Sequence, residues 1–463
     1  INARYVHSKI FQVLNIVDIL ISNNIADEQL RQGAFLLYVL FGIYSFTLLT
    51  IVCNDYFIPC VELICEDLKI PQVSNVAAAT FMSVATSCPE FFVNVISTFL
   101  TQSDMGIGTI VGSAIFNLLG VAAVGSLAAI APISIERRPV TRDVIIYMFN
   151  VGVLVTIVWD GLVMWYEALV LGILYILYFV LMFNSMRLFS LYDKMIVTCC
   201  KKKSECKLIY DGYTNLLQKQ CKQCPNSLKL NYVYNVTNNV LNSFYVVGKA
   251  VREKPKKSVF RFPFENSMVY KFWWIYTWPL KFFLTLTIPS PITFKRLYPL
   301  AFVMCIVWIG VNSYIVSWSM TVLGNTFLIP DSVMGMTFLA FGGCLPEACS
   351  IFIMSRRGEG GIGVSNALGA NSLAILFALG LPWLIRTLSL LVAGEEASVQ
   401  INSSGIDFVV GSLLVAACLL WFTLFIGRFK LRRIIGFVLL SFYLIFITFA
   451  ILVEIGVILD YQI

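Results

Sequence analysis

Two copies of one short motif contain the residues of this chain that are best suited to bind ions. The copies lie at residues 80–90 and 337–347, and in each a Thr-Phe pair precedes a Pro-Glu pair by the same spacing, ending at Glu90 and Glu347. A Gly-small pair follows each glutamate at the same distance, as Gly112-Ser113 and Gly369-Ala370. Matching segments in apolar surroundings indicate an internal repeat of the kind from which secondary transporters are built.

The residue types in the first copy are those of a site for a hard cation. Helical spacing predicts that Thr86, Ser87 and Glu90 share one face, and the proline before each glutamate predicts free carbonyls at Ala85 and Gly342. Carboxylate, hydroxyl and carbonyl oxygens are the ligands that Ca²⁺ and Na⁺ prefer. Glutamates that only hydrogen-bond to neighbouring helices are the simpler interpretation. A charge inside a bilayer is costly enough, however, that function is the default expectation.

The composition of the chain excludes several classes of function. Of the 463 residues, 59% are hydrophobic and 13% are charged, and the mean hydropathy is +0.82, which indicates a polytopic membrane protein. The single histidine, His7, excludes catalysis or metal binding by several histidines, and no nucleophile with a neighbouring base is visible. We therefore expect no enzymatic activity, no cofactor and no nucleic-acid partner. The expected partners are the lipid bilayer and inorganic cations.

Apolar runs of about 20 residues, each long enough to span as a helix, divide the chain into two halves. The predicted spans of the first half are residues 34–53, 73–100, 107–130, 144–159 and 167–186, and those of the second half are 299–323, 332–355, 362–384, 408–426 and 434–458. Because each half has an odd number of spans, the halves must have opposite orientations. The sequence predicts an all-α polytopic membrane protein with about ten transmembrane helices in two inverted five-helix repeats.

Four domains follow from these spans. They are an extracellular tail at residues 1–33, the first five-helix repeat at 34–186, a basic cytoplasmic loop at 187–298 and the second five-helix repeat at 299–459. The loop holds more than half of the 33 Lys and Arg residues, and the positive-inside rule places it in the cytosol. The chain starts at Ile1 without methionine, which is consistent with a preceding segment that was removed or left out.

The same orientation places an acidic loop outside the cell. This loop carries Glu395, Glu396 and a glycosylation sequon at Asn402, and glycosylation requires the lumenal or extracellular side. We therefore expect a glycoprotein. The shorter basic turns at residues 135–142, 356–359 and 428–433 then face the cytosol, in agreement with the positive-inside rule.

In its motifs the chain resembles the cation/calcium exchanger superfamily, and most closely the potassium-dependent sodium/calcium exchangers. The similarity covers nearly all predicted spans and is strongest at residues 55–57, 76–90, 106–117, 333–337 and 380–383. The resemblance implies about ten core helices, a midplane ion site and alternating access. Cytosolic Ca²⁺ would be exchanged for external Na⁺, with K⁺ transported alongside Ca²⁺ by symport. It also implies a plasma-membrane location, with organellar membranes as the alternative.

The resemblance assigns ion ligands that are nearly intact in the first repeat and depleted in the second. Thr86, Ser87 and Glu90 match the family's first ligand cluster, and Ser113 and Asn117 match the next one. In the second repeat Glu347 replaces an aspartate, and Asn371 is retained. Four second-repeat positions lack the family's polar side chain: Gly343 (Thr in the family), Cys344 (Ser), Ala370 (Ser) and Ala374 (an Asp associated with K⁺).

The number of carboxylates leads to a prediction about potassium. Glu90 and Glu347 supply enough negative charge to neutralise one Ca²⁺ or two Na⁺. An additional K⁺ beside Ca²⁺ would leave uncompensated charge in a low dielectric, which is unfavourable by several kcal/mol. We predict Na⁺/Ca²⁺ exchange with weak or absent K⁺ dependence.

Two alternatives stay open. A buried glutamate with few ligands favours its protonated form and can carry protons, so cation/H⁺ exchange is the first alternative. The second is a transport-inactive paralogue that acts as a membrane interaction or regulatory protein, because four ligand side chains are missing. A Ca²⁺ flux driven by a pH gradient without Na⁺ favours the first. A phenotype that survives Glu90→Gln and Glu347→Gln favours the second.

Overall fold

A computed structural model describes most of the predicted membrane region. The described residues are 35–67, 83–129, 132–135, 137–184, 268–291, 295–356, 360–401 and 405–454. The predicted amino-terminal tail, the start of the first motif, most of the basic loop and the sequon at Asn402 lie outside this set. The described residues are almost entirely helical.

The first half is built from seven described α-helices and two short strands. The helices are α1 (Phe35–Ile51), α2 (Ile58–Asp67), α3 (Cys88–Ile96), α4 (Met105–Ile115), α5 (Ala122–Ala128), α6 (Arg137–Val158) and α7 (Trp165–Phe183). Three π-helical turns extend or join them: Val52–Phe57, Ser97–Thr101 and Phe116–Val121. Strands β1 (Ile133–Ser134) and β2 (Leu162–Met164) precede and follow α6.

The second half contributes eight described α-helices. They are α8 (Met268–Thr287), α9 (Tyr298–Phe327), α10 (Asp331–Met334), α11 (Ala340–Arg356), α12 (Gly360–Leu373), α13 (Gly380–Ala393), α14 (Ile406–Ile426) and α15 (Arg433–Glu454). The π-helical turns Gly335–Leu339 and Ala374–Leu379 join α10 to α11 and α12 to α13, and a 3₁₀ turn, Lys295–Leu297, precedes α9. The remaining strands are β3 (Ser398–Gln400) and β4 (Lys430–Leu431).

The described helices form membrane spans in equal numbers in the two halves. Eight segments are long and apolar enough to cross a bilayer: Phe35–Val61, Met105–Ala128, Val140–Val158, Trp165–Phe183, Tyr298–Phe327, Ala367–Ala393, Phe408–Ile426 and Arg433–Glu454. Two shorter apolar helices, Cys88–Thr101 and Asp331–Leu345, carry described parts of the repeated motifs. Each half therefore contributes five membrane segments. The predicted all-α polytopic membrane fold is confirmed.

Two antiparallel ribbons connect the halves at opposite ends of α6. Strand β1 pairs with β4, with Ile133 opposite Leu431, and β2 pairs with β3, with Leu162 opposite Gln400. In each ribbon one strand comes from the first half and the other from the second. The backbone hydrogen bonds of these turns are thereby satisfied where the helices end.

Close backbone packing holds α4 against the segment that precedes the second motif. A Cβ atom on Gly112 would lie 2.1 Å from the Met336 carbonyl oxygen, and one on Gly108 would lie 2.3 Å from the Ser332 carbonyl oxygen. A Cβ on Gly335 would in turn lie 2.3 Å from the carbonyl oxygen of Met105. Only glycine permits so close an approach of two backbones. Small residues at such contacts are typical of helix packing in membranes.

Helix α8 lies within the region that the sequence predicted to be a loop. Phe272 and Trp273, in the first half of this helix, are largely exposed. Leu284 and Ile288 are instead fully buried, in an apolar cluster that includes Val52. The spacing i, i+4 places these two side chains on one stripe of the chain, which explains why this end packs into the core.

Candidate ion-binding site

The first motif interrupts its helix directly before the proline. Helix α3 begins at Cys88, with Ser87 at the N-cap position and the proline in the first turn, where a missing N–H costs little. The hydroxyls of Thr86 and Ser87 both donate to the Ser83 carbonyl oxygen at 3.0 Å. Thr86, Ser87 and Glu90 thus lie within about one helical turn of each other.

The second motif begins in the π-helical turn Gly335–Leu339 and continues into α11. Helix α11 runs from Ala340 to Arg356 and passes through the Pro-Glu pair without interruption. The Cys344 thiol is buried, with its Sγ 3.9 Å from the Ser113 carbonyl oxygen. At Gly343 a Cβ atom would meet no other atom of the described residues within 4 Å, so space is open at this position.

Helix α4 and the π-helical turn after it bring polar groups to both carboxyls. The Ser113 hydroxyl, which donates to the Ile110 carbonyl oxygen at 3.1 Å, lies near the Glu90 carboxyl. The Asn117 amide lies near the Glu347 carboxyl. Ser113 and Asn117 are buried and separated by one helical turn. The structure therefore brings together the predicted site residues of α3, α4 and α11.

A pair of asparagines links the two halves beside these carboxyls. The Asn117 side chain donates from Nδ2 to Oδ1 of Asn371 at 3.1 Å, and Asn371 Nδ2 donates to the Ala114 carbonyl oxygen at 3.3 Å. Both asparagines are at least 95% buried. Because each amide carries donors and an acceptor, the pair fixes the spacing of the α4 and α12 segments.

The electrostatics of this site favour a bound cation. Glu90 and Glu347 are close enough to repel each other, and both are half-buried. The Glu347 Oε2 atom is buried with no hydrogen-bond partner among the described residues. A buried carboxylate oxygen without a partner is costly, and a cation between the two carboxylates relieves that cost.

The depleted positions of the second repeat lie in the same region. Ala370 and Ala374 are both 3% exposed, so their methyl groups occupy buried positions. Ala374 begins the π-helical turn Ala374–Leu379, and Asn117 lies in the corresponding turn of the first half. Among the described residues, no group of three or more His, Cys, Asp or Glu side chains could hold a metal ion. The carboxylates that the described residues bring to this region are those of Glu90 and Glu347.

A polar cavity lies beside the end of α3 and the turn that follows it. Its volume is about 290 Å³, and its lining includes Asn94, Ser97, Gln102, Asp104, Arg386 and Gln400. The Asn94 side chain, at the inner end of this set along α3, donates to the Glu90 carbonyl oxygen at 2.9 Å. Sequence reasoning did not single out Asn94. Its position one helical turn after a buried glutamate was the available signal.

A further glutamate in contact with the second motif segment was also missed from the sequence. Glu454, at the end of α15, accepts a hydrogen bond from the Ser332 hydroxyl at the start of the second motif segment. An ionisable residue at the end of a long apolar run was the signal that could have identified it. The contact ties α15 to α10, which directly precedes the second motif.

The fold and the site define an integral multi-pass membrane protein with a carboxylate pair between its halves, as in secondary transporters. Comparison with known proteins gives the particular family. A family model described as "Sodium/calcium exchanger protein" matches residues 38–184 and 297–452, so the chain belongs to the sodium/calcium exchanger family. The interval between the two matched segments, residues 185–296, nearly coincides with the predicted basic loop.

Two relatives of known name agree with this assignment. Sodium/potassium/calcium exchanger 4 of Mus musculus is 30% identical over 524 residues, covering 93% of this chain and 83% of the relative. Sodium/potassium/calcium exchanger 5 of Homo sapiens is 30% identical over 442 residues, covering 93% of this chain and 86% of the relative. A solved structure of the sodium-calcium exchanger NCX_Mj aligns with a TM-score of 0.46 and 18% identity, over 89% of this chain and 99% of that one.

Proposed function

We propose that the protein is a secondary-active antiporter that exchanges Ca²⁺ for Na⁺ by alternating access, with weak or absent K⁺ dependence. One observation carries the proposal: Glu90 and Glu347, from the two halves, lie close together with Ser113 and Asn117 beside them. The names of the relatives, which are sodium/potassium/calcium exchangers, support the choice of ions.

Charge neutrality explains why the two ions compete for one site. Two carboxylates balance either one Ca²⁺ or two Na⁺, so either load gives a neutral site that can cross the low-dielectric interior. A site that holds no ion, or only one Na⁺, carries a net charge. Burying that charge costs several kcal/mol, so the change between outward-facing and inward-facing states is unfavourable. Exchange with a fixed ratio of the two ions follows from this difference.

We assign the neutral ligands by their chemistry. Thr86, Ser87, Ser113 and Asn117 supply oxygens from the first half, and Asn371 supplies an amide oxygen from the second. The hydroxyls of Thr86 and Ser87 donate to the Ser83 carbonyl, which leaves their lone pairs available to a cation. Water fills the coordination shell at Gly343, because the space beside it is open and Ca²⁺ accepts six to eight oxygen ligands, at ~2.3–2.6 Å.

We infer that the polar cavity is the external access route. It is lined by Asp104 at the turn between the second and third spans and by Gln400 in the acidic loop, which the predicted topology places outside. Asn94 connects it to the Glu90 backbone. Alternating access then requires this route to close while an inward route opens through motion of one repeat against the other. The predicted topology also places the basic loop in the cytosol, and the resemblance to the exchanger family suggests the plasma membrane, with organellar membranes as the alternative.

The weak K⁺ dependence rests on Ala374. This residue is buried and has no charge, so an extra monovalent cation beside Ca²⁺ lacks a counter-charge. Ala374→Asp adds that charge at the position where the potassium-dependent family has an aspartate. We expect K⁺ to stimulate Ca²⁺ transport by Ala374→Asp several-fold. Ala374→Asn, whose side chain has the shape of aspartate without its charge, should behave like the wild type.

The test is Ca²⁺ uptake into Na⁺-loaded vesicles, with external K⁺ present or replaced by an inert cation. Uptake that requires the Na⁺ gradient and Glu90 but not K⁺ is the expected result. K⁺ stimulation of the wild type comparable to that of Ala374→Asp would refute the charge argument.

The same vesicles separate the alternatives. Ca²⁺ flux driven by a pH gradient without Na⁺ would establish cation/H⁺ exchange instead. No flux under any gradient, with correctly inserted protein, would leave the transport-inactive paralogue. The observations that favour a transport-inactive paralogue are the open space at Gly343 and the methyl groups of Ala370 and Ala374.

A further inference from the structure

Two basic turns that are far apart in the sequence lie side by side. Strand β1 pairs with β4, placing Ser134 opposite Lys430, and the Ile135 N–H donates to the Phe429 carbonyl oxygen at 2.8 Å. The guanidinium of Arg137 lies over the Phe429 ring, 5.5 Å from its centroid. The ribbon therefore gathers basic residues from the starts of α6 and α15 and the end of α14.

These basic side chains are available at the surface. Exposed Lys and Arg residues of the two turns are Arg137, Arg428, Lys430, Arg432 and Arg433. The described acidic residue at this end of α6 is Asp143, which is buried and forms an ion pair with Arg142 at 2.7 Å. The exposed surface of the two turns thus carries a strong positive charge.

An apolar groove begins beside the same basic turns. It has a volume of about 440 Å³ and lies between the first half of α6 and the last half of α14, and it is lined by Thr141, Val144, Ile145, Met148, Val415, Cys418, Leu419, Trp421 and Phe422. Its polar lining residue, Thr141, accepts a hydrogen bond from Trp421 Nε1 at 3.4 Å. Ile145 and Phe422 are 60% and 57% exposed, so the groove opens toward the lipid.

We propose that the groove and the basic turns form a binding site for one anionic phospholipid. Its acyl chain lies in the groove between α6 and α14, and its phosphate headgroup contacts Arg137, Lys430 and Arg432. The apolar lining fits a hydrocarbon chain, and the charge of the turns complements a phosphate. Thr141 lies one helical turn from Arg137, so the groove and the charges are adjacent along α6.

The location agrees with where such lipids occur. Basic turns face the cytosol by the positive-inside rule, and the cytoplasmic leaflet contains the anionic lipids. Each Lys or Arg near that surface contributes about fivefold to association with anionic lipid. Because this site is apart from Glu90 and Glu347, its occupancy does not depend on whether the protein transports ions.

The test is lipid binding to the purified full chain in mild detergent, followed by native mass spectrometry. The probes are dioleoyl-phosphatidylserine, dioleoyl-phosphatidylcholine and water-soluble glycerophosphoserine. We expect one phosphatidylserine to bind at least fivefold more tightly than phosphatidylcholine, and glycerophosphoserine to compete only weakly.

Two variants test the two parts of the site. Lys430→Gln combined with Arg432→Gln removes two headgroup contacts and should lower phosphatidylserine affinity by tenfold or more, with phosphatidylcholine unchanged. Cys418→Trp fills the groove and should lower the affinity for both lipids. Arg296→Gln combined with Arg356→Gln is the charge-matched control, and Val311→Trp is the control for a bulky residue on an exposed helix face. Thermal unfolding of each variant verifies folding.

The outcomes separate a defined site from general attraction. If the charge variant and its control lose affinity equally, phosphatidylserine binds the basic surface non-specifically and the proposal is wrong. If Cys418→Trp binds phosphatidylserine like the wild type, the groove does not hold the chain and the proposal is also wrong. Full competition by glycerophosphoserine would mean that a phosphate without a lipid chain is the ligand.

Discussion

The two copies of the Pro-Glu motif keep the same carboxylate but differ in nearly everything around it. In the first copy, the helix is interrupted at Ser87, and two hydroxyls precede Glu90. In the second copy, a continuous helix carries Glu347, and the preceding positions are a glycine and a buried cysteine. One half thus offers a dense set of oxygen ligands and the other offers mainly a charge.

This difference separates two contributions to ion binding. Leaving a buried charge without its partner costs about 3–5 kcal/mol, whereas a single neutral hydrogen bond contributes only about 0.5–1.5 kcal/mol. A site can therefore lose neutral ligands, which water replaces, and still bind a cation. We infer that the carboxylates decide whether an ion binds and that the neutral ligands adjust its affinity.

The strongest test of this comparison removes each charge in turn. Glu90→Gln or Glu347→Gln leaves bound Ca²⁺ with one uncompensated positive charge, so we expect the Ca²⁺ affinity to fall by about 100-fold or more. The measurement is the initial rate of Ca²⁺ uptake into Na⁺-loaded vesicles as a function of external Ca²⁺.

Glu395→Gln is the control for this pair, because Glu395 is exposed in the loop after α13. It should transport like the wild type. Normal uptake by Glu347→Gln, with impaired uptake by Glu90→Gln, would show that the second motif no longer binds the ion. Only the first half would then contribute a functional carboxylate.

A second test contrasts two glycines near the site. Gly112→Ala places a methyl group 2.1 Å from the Met336 carbonyl oxygen, so we expect a loss of about 1–3 kcal/mol in stability. Gly343→Ala meets no atom within 4 Å and should raise stability slightly, because alanine favours the helix by up to about 1 kcal/mol.

The measurement is the thermal unfolding temperature of the two purified variants beside the wild type. Gly152→Ala, where a Cβ also meets nothing within 4 Å, is the control for an uncrowded helix position. Equal destabilisation by Gly112→Ala and Gly343→Ala would contradict the open space in the second motif.

The smallest expected effect comes from restoring one neutral ligand. Gly343→Thr adds a hydroxyl in the open space beside Glu347, and a contact of this kind to a charged group is worth about 1.5 kcal/mol. We expect the Ca²⁺ concentration for half-maximal uptake to fall by about tenfold.

Gly343→Val has the shape of threonine without the hydroxyl and should leave the affinity unchanged. If Gly343→Val and Gly343→Thr change the affinity equally, the effect comes from filling space rather than from a ligand. The water that we assign to this position would then be unnecessary.

Much of the fold was predictable because membrane spans leave a simple signal. The predicted span at residues 408–426 became helix α14, Ile406–Ile426, and the span at 107–130 became Met105–Ala128. Helix α8 was not predicted as a packed element, because Lys271, Lys281 and the internal Pro279 lower its apolar character. Its burial depends on the stripe of Leu280, Leu284 and Ile288 meeting a distant part of the chain.

The candidate site was predictable in its residues but not in its geometry. The types and spacing of Glu90, Ser113, Asn117 and Glu347 were visible in the sequence, since ionisable residues in apolar runs are rare and costly. The contact between Asn117 and Asn371 joins residues from different halves, and no local pattern encodes it. The role of Glu454 as a partner of Ser332 was hidden for the same reason.

The sequence by itself determined the membrane spans, the repeat and the two carboxylates, because hydropathy, charge and spacing act locally along the chain. The tertiary structure decided which polar groups face those carboxylates, where space is open and how the basic turns meet. These features depend on close packing between segments hundreds of residues apart, such as Gly112 against Met336. Packing at that range is set by the shapes of both partners together.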